Sequence, residues 1–336
     1  MQDDRRVSIP PAGAASDLAS GLASNLPAHS FIADLNDIAI LKVSGKDCAD
    51  FLHAQLSSDV RGLPQGTHGL TSWCNPKGRM LMNGYLIREP DHFLLLLDSS
   101  LQESISKNLS RYILRSKVVI EVMNSSLGLL GVTCPNLEEA RDILGPDLPE
   151  PASTLSHDGM TFCRVRDTAA RYLALGPMAQ VRSFRERRER HIHPAGKESW
   201  GLRDILNGLA WVDERNSGEF LPLDFNLDAL GGVSFTKGCY PGQEIVTRIR
   251  HRGHIKKRLY LARAVGNPPP HPGEALAIAG DARHVGSIIA AAPWHGDTHA
   301  VLAVIECDQV PAATVLTAQG NCHLEYMPPP YAISMA

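Results

Sequence analysis

Apolar positions along this chain recur with two periods, and the switches between them mark out the elements. Ile38–Val43 is a short, nearly continuous apolar run, as a buried strand reads. Ser44-Gly45-Lys46-Asp47 follows with capping-box spacing, and Phe51, Leu52, Gln55 and Leu56 then fall along one side of a helix. Leu70–Trp73 and Met80–Ile87 read as the strands of a hairpin, because Cys74-Asn75-Pro76-Lys77-Gly78-Arg79 between them is turn chemistry. Phe93–Asp98 is a third strand. After a second capping box at Ser100-Leu101-Gln102-Glu103, the residues Leu101, Ile105, Leu109, Tyr112 and Ile113 give a helix an apolar stripe, and Val118–Val122 returns to strand.

A second α+β unit starts near Leu127, with a strand at Leu127–Thr133, a helix at Leu137–Leu144 and strands at Phe162–Val165 and Arg171–Leu175. Gly145–Gly159, rich in Pro and acidic residues, reads as a long loop. The charged segment Ser183–Arg190 fits a solvated helix with Glu–Arg pairs better than a nucleic-acid patch. Trp200–Leu209 is a further helix. From about Leu259 to Met327, short β-rich runs between Gly, Pro and Asp turns predict a small antiparallel barrel or sandwich. Residues 1–30, rich in Ala, Ser, Gly and Pro, are expected to form a loosely ordered leader with a weak helix near Asp17–Leu26.

Composition narrows the class. A chain of 336 residues suggests about two to three domains, and 43% hydrophobic with 21% charged residues supports packed cores. The net charge of -3 supplies no global field toward nucleic acid or membrane. Seven cysteines without a CxxC pair fit free thiols in a reducing compartment. The N-terminus lacks a secretory pattern, and the longest apolar runs, such as Phe93–Leu97, are too short to span a bilayer. These features predict a cytoplasmic protein.

Unusual chemistry concentrates in Ser234–Val246. Cys239 lies two residues from Lys237, and a positive neighbour or a helix N-terminus activates a thiol. Pro241 suits a first helical turn, and a helix over Gln243–Ile249 would aim its amides at the cysteine or at an anion beside it. The alternative is a small buried cysteine, as most are. The basic run Arg248–Arg258 reads equally as a polyanion grip or as a solvated connection. Lys77 and Arg79 next to Trp73 suit a planar ring with an acidic tail, although an ordinary turn explains them too. No metal motif, Walker A or GxGxxG emerges.

The stretch Lys237-Gly238-Cys239-Tyr240-Pro241-Gly242-Gln243-Glu244 resembles the signature of the YgfZ family of folate-binding proteins. The likeness extends through Leu221-Pro222, Asn226-Leu227, Gly232-Val233-Ser234-Phe235, Arg252-Gly253 and Lys257-Arg258-Leu259, and takes in Phe51–Val60 and Cys74–Arg79. It implies an α+β, three-domain arrangement like the glycine cleavage T-protein, an aminomethyltransferase, with two α+β domains and a C-terminal antiparallel β-barrel around a central folate pocket. The expected domains are 31–125 with 200–250, then 126–199, then 255–330. The resemblance further implies binding of tetrahydrofolate or a one-carbon derivative, and support of iron–sulfur client proteins, tRNA-modifying ones among them. A monomer that does not itself grip tRNA or membrane is expected. Cys239 and Lys237 become the expected reactive pair, with Trp73, Lys77, Arg79, Asn226, Tyr240, Gln243, Glu244 and Arg248 as expected folate contacts. One departure stands out. The aminomethyltransferases carry a catalytic aspartate after the hairpin glycine, whereas Arg79–Ile87 contains neither Asp nor Glu. Transferase chemistry would need a carboxylate from elsewhere, Asp224 or Glu244.

Overall fold

The computed structural model describes residues 29–188, 191–252, 254–278, 281–309, 315–317 and 322–333. Residues 1–28 of the expected leader, with its weak helix, lie outside the described residues, as does Gly253.

Two sheets and a curled third one make up the chain. Strand β1 (Phe31–Asp34) comes first. Strands β2 (Ile38–Ser44), β3 (Thr67–Cys74), β4 (Met80–Arg88), β5 (His92–Asp98) and β6 (Val119–Val122) form an antiparallel sheet of order β3-β4-β5-β2-β6. Helices α1 (Cys48–Gln55) and α2 (Gln102–Ser110) belong to the same unit. The second sheet holds β7 (Leu127–Cys134), β8 (Thr154–His157), β9 (Met160–Arg164), β10 (Ala170–Pro177) and β11 (His193–Ala195), with helices α3 (Leu137–Leu144) and α4 (Met178–Arg188). Its order is β11-β1-β7-β10-β9-β8, so β1 lies in this sheet and not in the first unit, where sequence put residues 31–34. The expected loop 145–159 contains strand β8, which pairs with β9 across a tight turn at Asp158 and Gly159 (φ 51° and 70°).

Helix α5 (Lys197–Leu206) leads into residues 207–242, which hold neither helix nor strand. That stretch is nevertheless well buried, because Leu223, Phe225 and Leu227 sit in the same core as Leu52, Trp73, Met82 and Leu97. Helix α6 (Gln243–Arg252) follows. Strands β12 (Lys257–Gly266), β13 (Ala275–Ile278), β14 (Asp281–Pro293), β15 (Thr298–Glu306), β16 (Val315–Thr317) and β17 (Cys322–Met327) then curl in the order β12-β15-β14-β13-β16-β17, and β17 pairs back on β12.

Strand alternation decides how the sheets meet. On β5, Leu95 and Leu97 face the core shared with α1 and the curled sheet. Leu94 and Leu96 face the other way, onto Leu129, Leu173, Leu175 and Trp200 of the second unit. Both faces of the first sheet are therefore covered, and its strands read as nearly unbroken apolar runs.

Candidate functional site

The two segments that carry unusual turn chemistry meet. Gly78, at the tip of the β3–β4 hairpin, has φ +75°, and Gly242 has φ +81°. A Cβ added to Gly242 would lie 2.5 Å from Gly78 Cα and 2.6 Å from the Asn75 carbonyl oxygen. Only glycine allows that backbone contact together with that dihedral. Asn75 shapes the hairpin, its Oδ1 accepting from the amides of Lys77 (2.9 Å) and Arg79 (3.1 Å).

Lys237 reaches away from this contact. Its Nζ donates to the carbonyls of Leu56 (2.6 Å) and His53, at the C-terminus of α1. An ammonium there satisfies carbonyls left unpaired by the helix and complements its dipole. Burial pushes this lysine down to about 8, with Asp59 opposing the shift. The sequence expectation was that Lys237 stabilises the Cys239 thiolate. The two hydrogen bonds of the ammonium go to main-chain carbonyls at the end of α1. Cys239 is exposed, so the reading of a buried structural cysteine does not hold. Its neighbour Tyr240 is buried, with a hydroxyl that has no hydrogen-bond partner among the described residues. Gln243 Nε2 donates back to the Lys237 carbonyl (3.4 Å), closing the segment on itself.

Other expected contacts are placed differently from expectation. Trp73 is 2% exposed and donates from its indole to Gln55 Oε1 at 3.3 Å, so its faces lie in the core and are not open beside Lys77 and Arg79. Asn226 is fully buried at φ +56°; it donates to the Leu259 carbonyl (2.8 Å) and accepts from Arg258 (3.4 Å), tying the curled sheet to the rest of the chain. The basic run is not one face. Arg258 is buried in a two-point pair with Asp228 (2.6 and 3.0 Å), whereas Lys77, Glu244 and Arg248 are exposed.

Arg79 donates to the Glu219 carbonyl and lies 4.0 Å from Asp224. Both line a cavity of ≈ 300 Å³ beneath α6, with His254 and Lys257. Burial pushes the Asp224 carboxyl up to about 6, against the Leu221 amide and Arg79, which favour the anion. A raised acid contributes stability that is full below its unfolded value near 4 and is lost as pH rises through about 6. We expect wild type to lose on the order of 2–3 kcal/mol from this group between pH 4 and 7, and Asp224→Asn to lack that loss. Urea midpoints of both proteins at the two pH values check it; parallel profiles would refute it.

A second cavity, of ≈ 350 Å³, lies where the two flat sheets meet. It is walled by His68, Leu70 and Tyr85 from β3 and β4, by Val165 and Arg171 from the β9–β10 region, and by Asn207 and Leu209 after α5. His68 is 5% exposed, and its Nε2 lies 3.0 Å from the Arg164 carbonyl, to which it donates. Burial holds the ring below its usual range and hence neutral. Nδ1 is then an acceptor, and it has no partner among the described residues. Behind the wall runs a network of buried charges. Arg171 pairs with Asp204 (2.7 Å) and Asp167 (3.6 Å), Arg203 with Asp167 (3.1 Å), and Asn207 and Trp211 donate to Asp167 and Asp204. The Arg171 guanidinium lies 3.6 Å from the Trp200 ring centre. Sequence reasoning missed this cavity: its residues are dispersed along the chain and form no short motif. The one available signal was Arg203-Asp204 inside the apolar stripe of α5. None of the expected site residues lines it.

Comparison with known proteins agrees with this architecture. Residues 24–176 match the GCVT N-terminal domain family. The crystal structure of glycine cleavage system aminomethyltransferase T from Bartonella henselae superposes with a TM-score of 0.72 at 14% identity, covering 94% of this chain and 88% of that one, which shows the shared fold. The tRNA-modifying protein YgfZ of Enterobacter sp. (strain 638) is 30% identical over 306 residues, 90% of this chain and 93% of that protein. With that identity over nearly its whole length, and with the T-protein fold beneath it, the chain belongs to the YgfZ family.

Proposed function

We propose that this chain binds a reduced folate, tetrahydrofolate or a one-carbon derivative, in the cavity between the sheets. It would serve there as an accessory protein for a subset of iron–sulfur enzymes, tRNA-modifying ones included, acting as a cytoplasmic monomer through the Cys239 thiol. The observation that supports the reading is a mostly apolar cavity of ligand size (≈ 350 Å³) between the sheets, with His68 and Asn207 in its wall. Leu70, Tyr85, Val165 and Leu209 supply apolar walls for a pterin ring. When bound, a reduced folate supplies a carrier for one-carbon units; the chain's own residues hold and orient its ring. The Enterobacter relative is called tRNA-modifying, which supports the link to tRNA-modifying clients.

Titration of the protein with tetrahydrofolate tests the cavity. His68→Phe, which removes the bond to the Arg164 carbonyl and reshapes the cavity wall, is expected to weaken binding at least tenfold. Cys239 does not line the cavity, so Cys239→Ala is expected to bind folate as wild type does yet fail to restore iron–sulfur enzyme activity in a strain lacking its own YgfZ-type protein. Full rescue by Cys239→Ala would remove the thiol from the reading.

The T-protein fold favours a second reading, aminomethyl transfer. The strand that follows the hairpin argues against it. Met82 lies in the core, and the Asn83 amide donates to the Ala210 carbonyl (2.8 Å) and accepts from Val212 (2.7 Å). Asp224 lies beneath α6 and Glu244 is exposed, so neither substitute carboxylate lines the inter-sheet cavity. No turnover is expected with tetrahydrofolate and an aminomethyl-carrying H-protein; turnover would overturn the accessory role.

A further inference from the structure

We propose that the cavity between α4 and the β8–β9 turn is a second ligand site and takes the phosphate of a nucleotide. It measures ≈ 280 Å³ and shares no lining residue with the inter-sheet cavity. Helix α4 lays Gln180, Ser183, Phe184, Arg187 and Arg188 along it. Those positions run i, i+3, i+4, i+7, i+8 and make one side of the helix, flanking its buried Val181 and taking in its buried Phe184, with Gln180 and Arg187 exposed. Among those positions only Phe184 is apolar.

The two arginines are held but not neutralised. Arg187 donates to Ser183 Oγ at 3.2 Å. The Arg188 guanidinium lies 5.4 Å from the Phe184 ring centre, and its Nε is buried with no hydrogen-bond partner among the described residues. Neither arginine makes an ion pair among the described residues, whereas Arg185 on the same helix pairs with Asp34. Asp158 is the one acid in the cavity wall; its side chain is 84% exposed and lies 3.9 Å from His157. Opposite the arginines, the His157 ring stacks on Phe162, with centres 4.6 Å apart and planes 15° apart. The left-handed turn at Gly159 lets the helix come close, since a Cβ there would lie 2.7 Å from the Gln180 amide.

This is a recognisable chemistry. Guanidinium forks match phosphate oxygens two at a time, and Ser183 and Gln180 add neutral donors. The part-exposed His157 ring, backed by buried Phe162, suits stacking by a base, which a bare carboxylate or inorganic phosphate would leave unused. The charge pattern reads this helix as solvated, and Arg182, Glu186 and Arg187 are indeed exposed; the cavity and the stacked ring add a ligand reading to one side of it. The proposal does not depend on folate binding.

The test uses the full chain with three probes: inorganic phosphate, 5′-AMP and a short single-stranded RNA. Wild type is expected to bind AMP or RNA more tightly than inorganic phosphate. The Arg187→Ala/Arg188→Ala pair is expected to weaken binding at least tenfold and to lower the salt slope for RNA by about one to two. Arg187→Lys/Arg188→Lys, which keeps the charge and the helix, is expected to retain part of the affinity. Arg182→Ala, exposed on the same helix and outside the cavity, should leave it unchanged. Tight AMP binding assigns the site to free nucleotides, and binding of RNA alone assigns it to nucleotides within a chain. Absence of binding by all three probes, or an Arg182→Ala loss equal to that of the double variant, would overturn the proposal. An unchanged urea midpoint of the double variant reports an intact fold.

Discussion

Arg171→Ala is expected to lower stability by about 3–5 kcal/mol, the cost typical of breaking a buried ion pair from one side. Arg171 is 1% exposed and faces two carboxylates, Asp204 and Asp167. Its removal leaves Asp167 with Arg203 and Asn207, but leaves Asp204 with only the Trp211 indole among the described side-chain contacts. Burial already raises the Asp204 carboxyl, and without Arg171 that group has still less reason to ionise. The guanidinium also packs on Trp200, so the substitution removes contact area as well as charge. Folate binding is expected to fall with stability, because the same side chain lines the inter-sheet cavity. Urea denaturation measures the first effect and ligand titration the second. Replacing both partners, Arg171→Met with Asp204→Leu, should recover much of the stability without recovering folate binding. A loss below about 1 kcal/mol for Arg171→Ala would mean that the network is far better solvated than its burial indicates.

Gly242→Ala is the second large effect. A Cβ in the left-handed region costs about 1–2 kcal/mol by itself. At this position it also meets backbone, 2.5 Å from Gly78 Cα, and backbone has no rotamer by which to move aside. We expect a total loss above 2 kcal/mol, with the hairpin tip and the Lys237–Glu244 segment forced apart. Gly78→Ala is the internal comparison. Its φ is similar at +75°, but its nearest contacts are 3.3 Å away, tight without overlap, so it should lose the dihedral part and only a small packing cost. Under the proposed accessory role, rescue of iron–sulfur enzyme activity should fail for Gly242→Ala even at a temperature where the protein stays folded. Equal behaviour of the two alanine variants would show that the contact between the segments is not tight.

The elements were legible where one period dominated. Strands β2, β4, β5 and β7, and helices α3 and α5, lie close to where the apolar pattern predicts, because each buries a face that the pattern encodes. The glycine-rich segments were legible too, since backbone close to backbone leaves a composition trace. Three things were not. Strand β8 was hidden in a Pro-rich, acidic stretch because it lies at the sheet edge, where only part of its surface is buried. Trp73 was expected as a ligand contact from its cationic neighbours and Asn226 from the family likeness; packing decides where a side chain faces, and both are buried. The inter-sheet cavity is a product of topology: His68, Arg171 and Asn207 are brought together only when the two sheets pack, and no local pattern records it.

Strand β1 has a consequence for how the molecule is made. Its partners β7 and β11 lie roughly a hundred and roughly a hundred and sixty residues further along the chain. On the ribosome, β2–β6 can assemble into a complete sheet while Phe31, Ile32 and Ala33 still wait as an unpaired apolar strand. The two sheets are therefore laced together and do not mature strictly in order, and a nascent chain released between residues 125 and 195 would present that strand to other molecules.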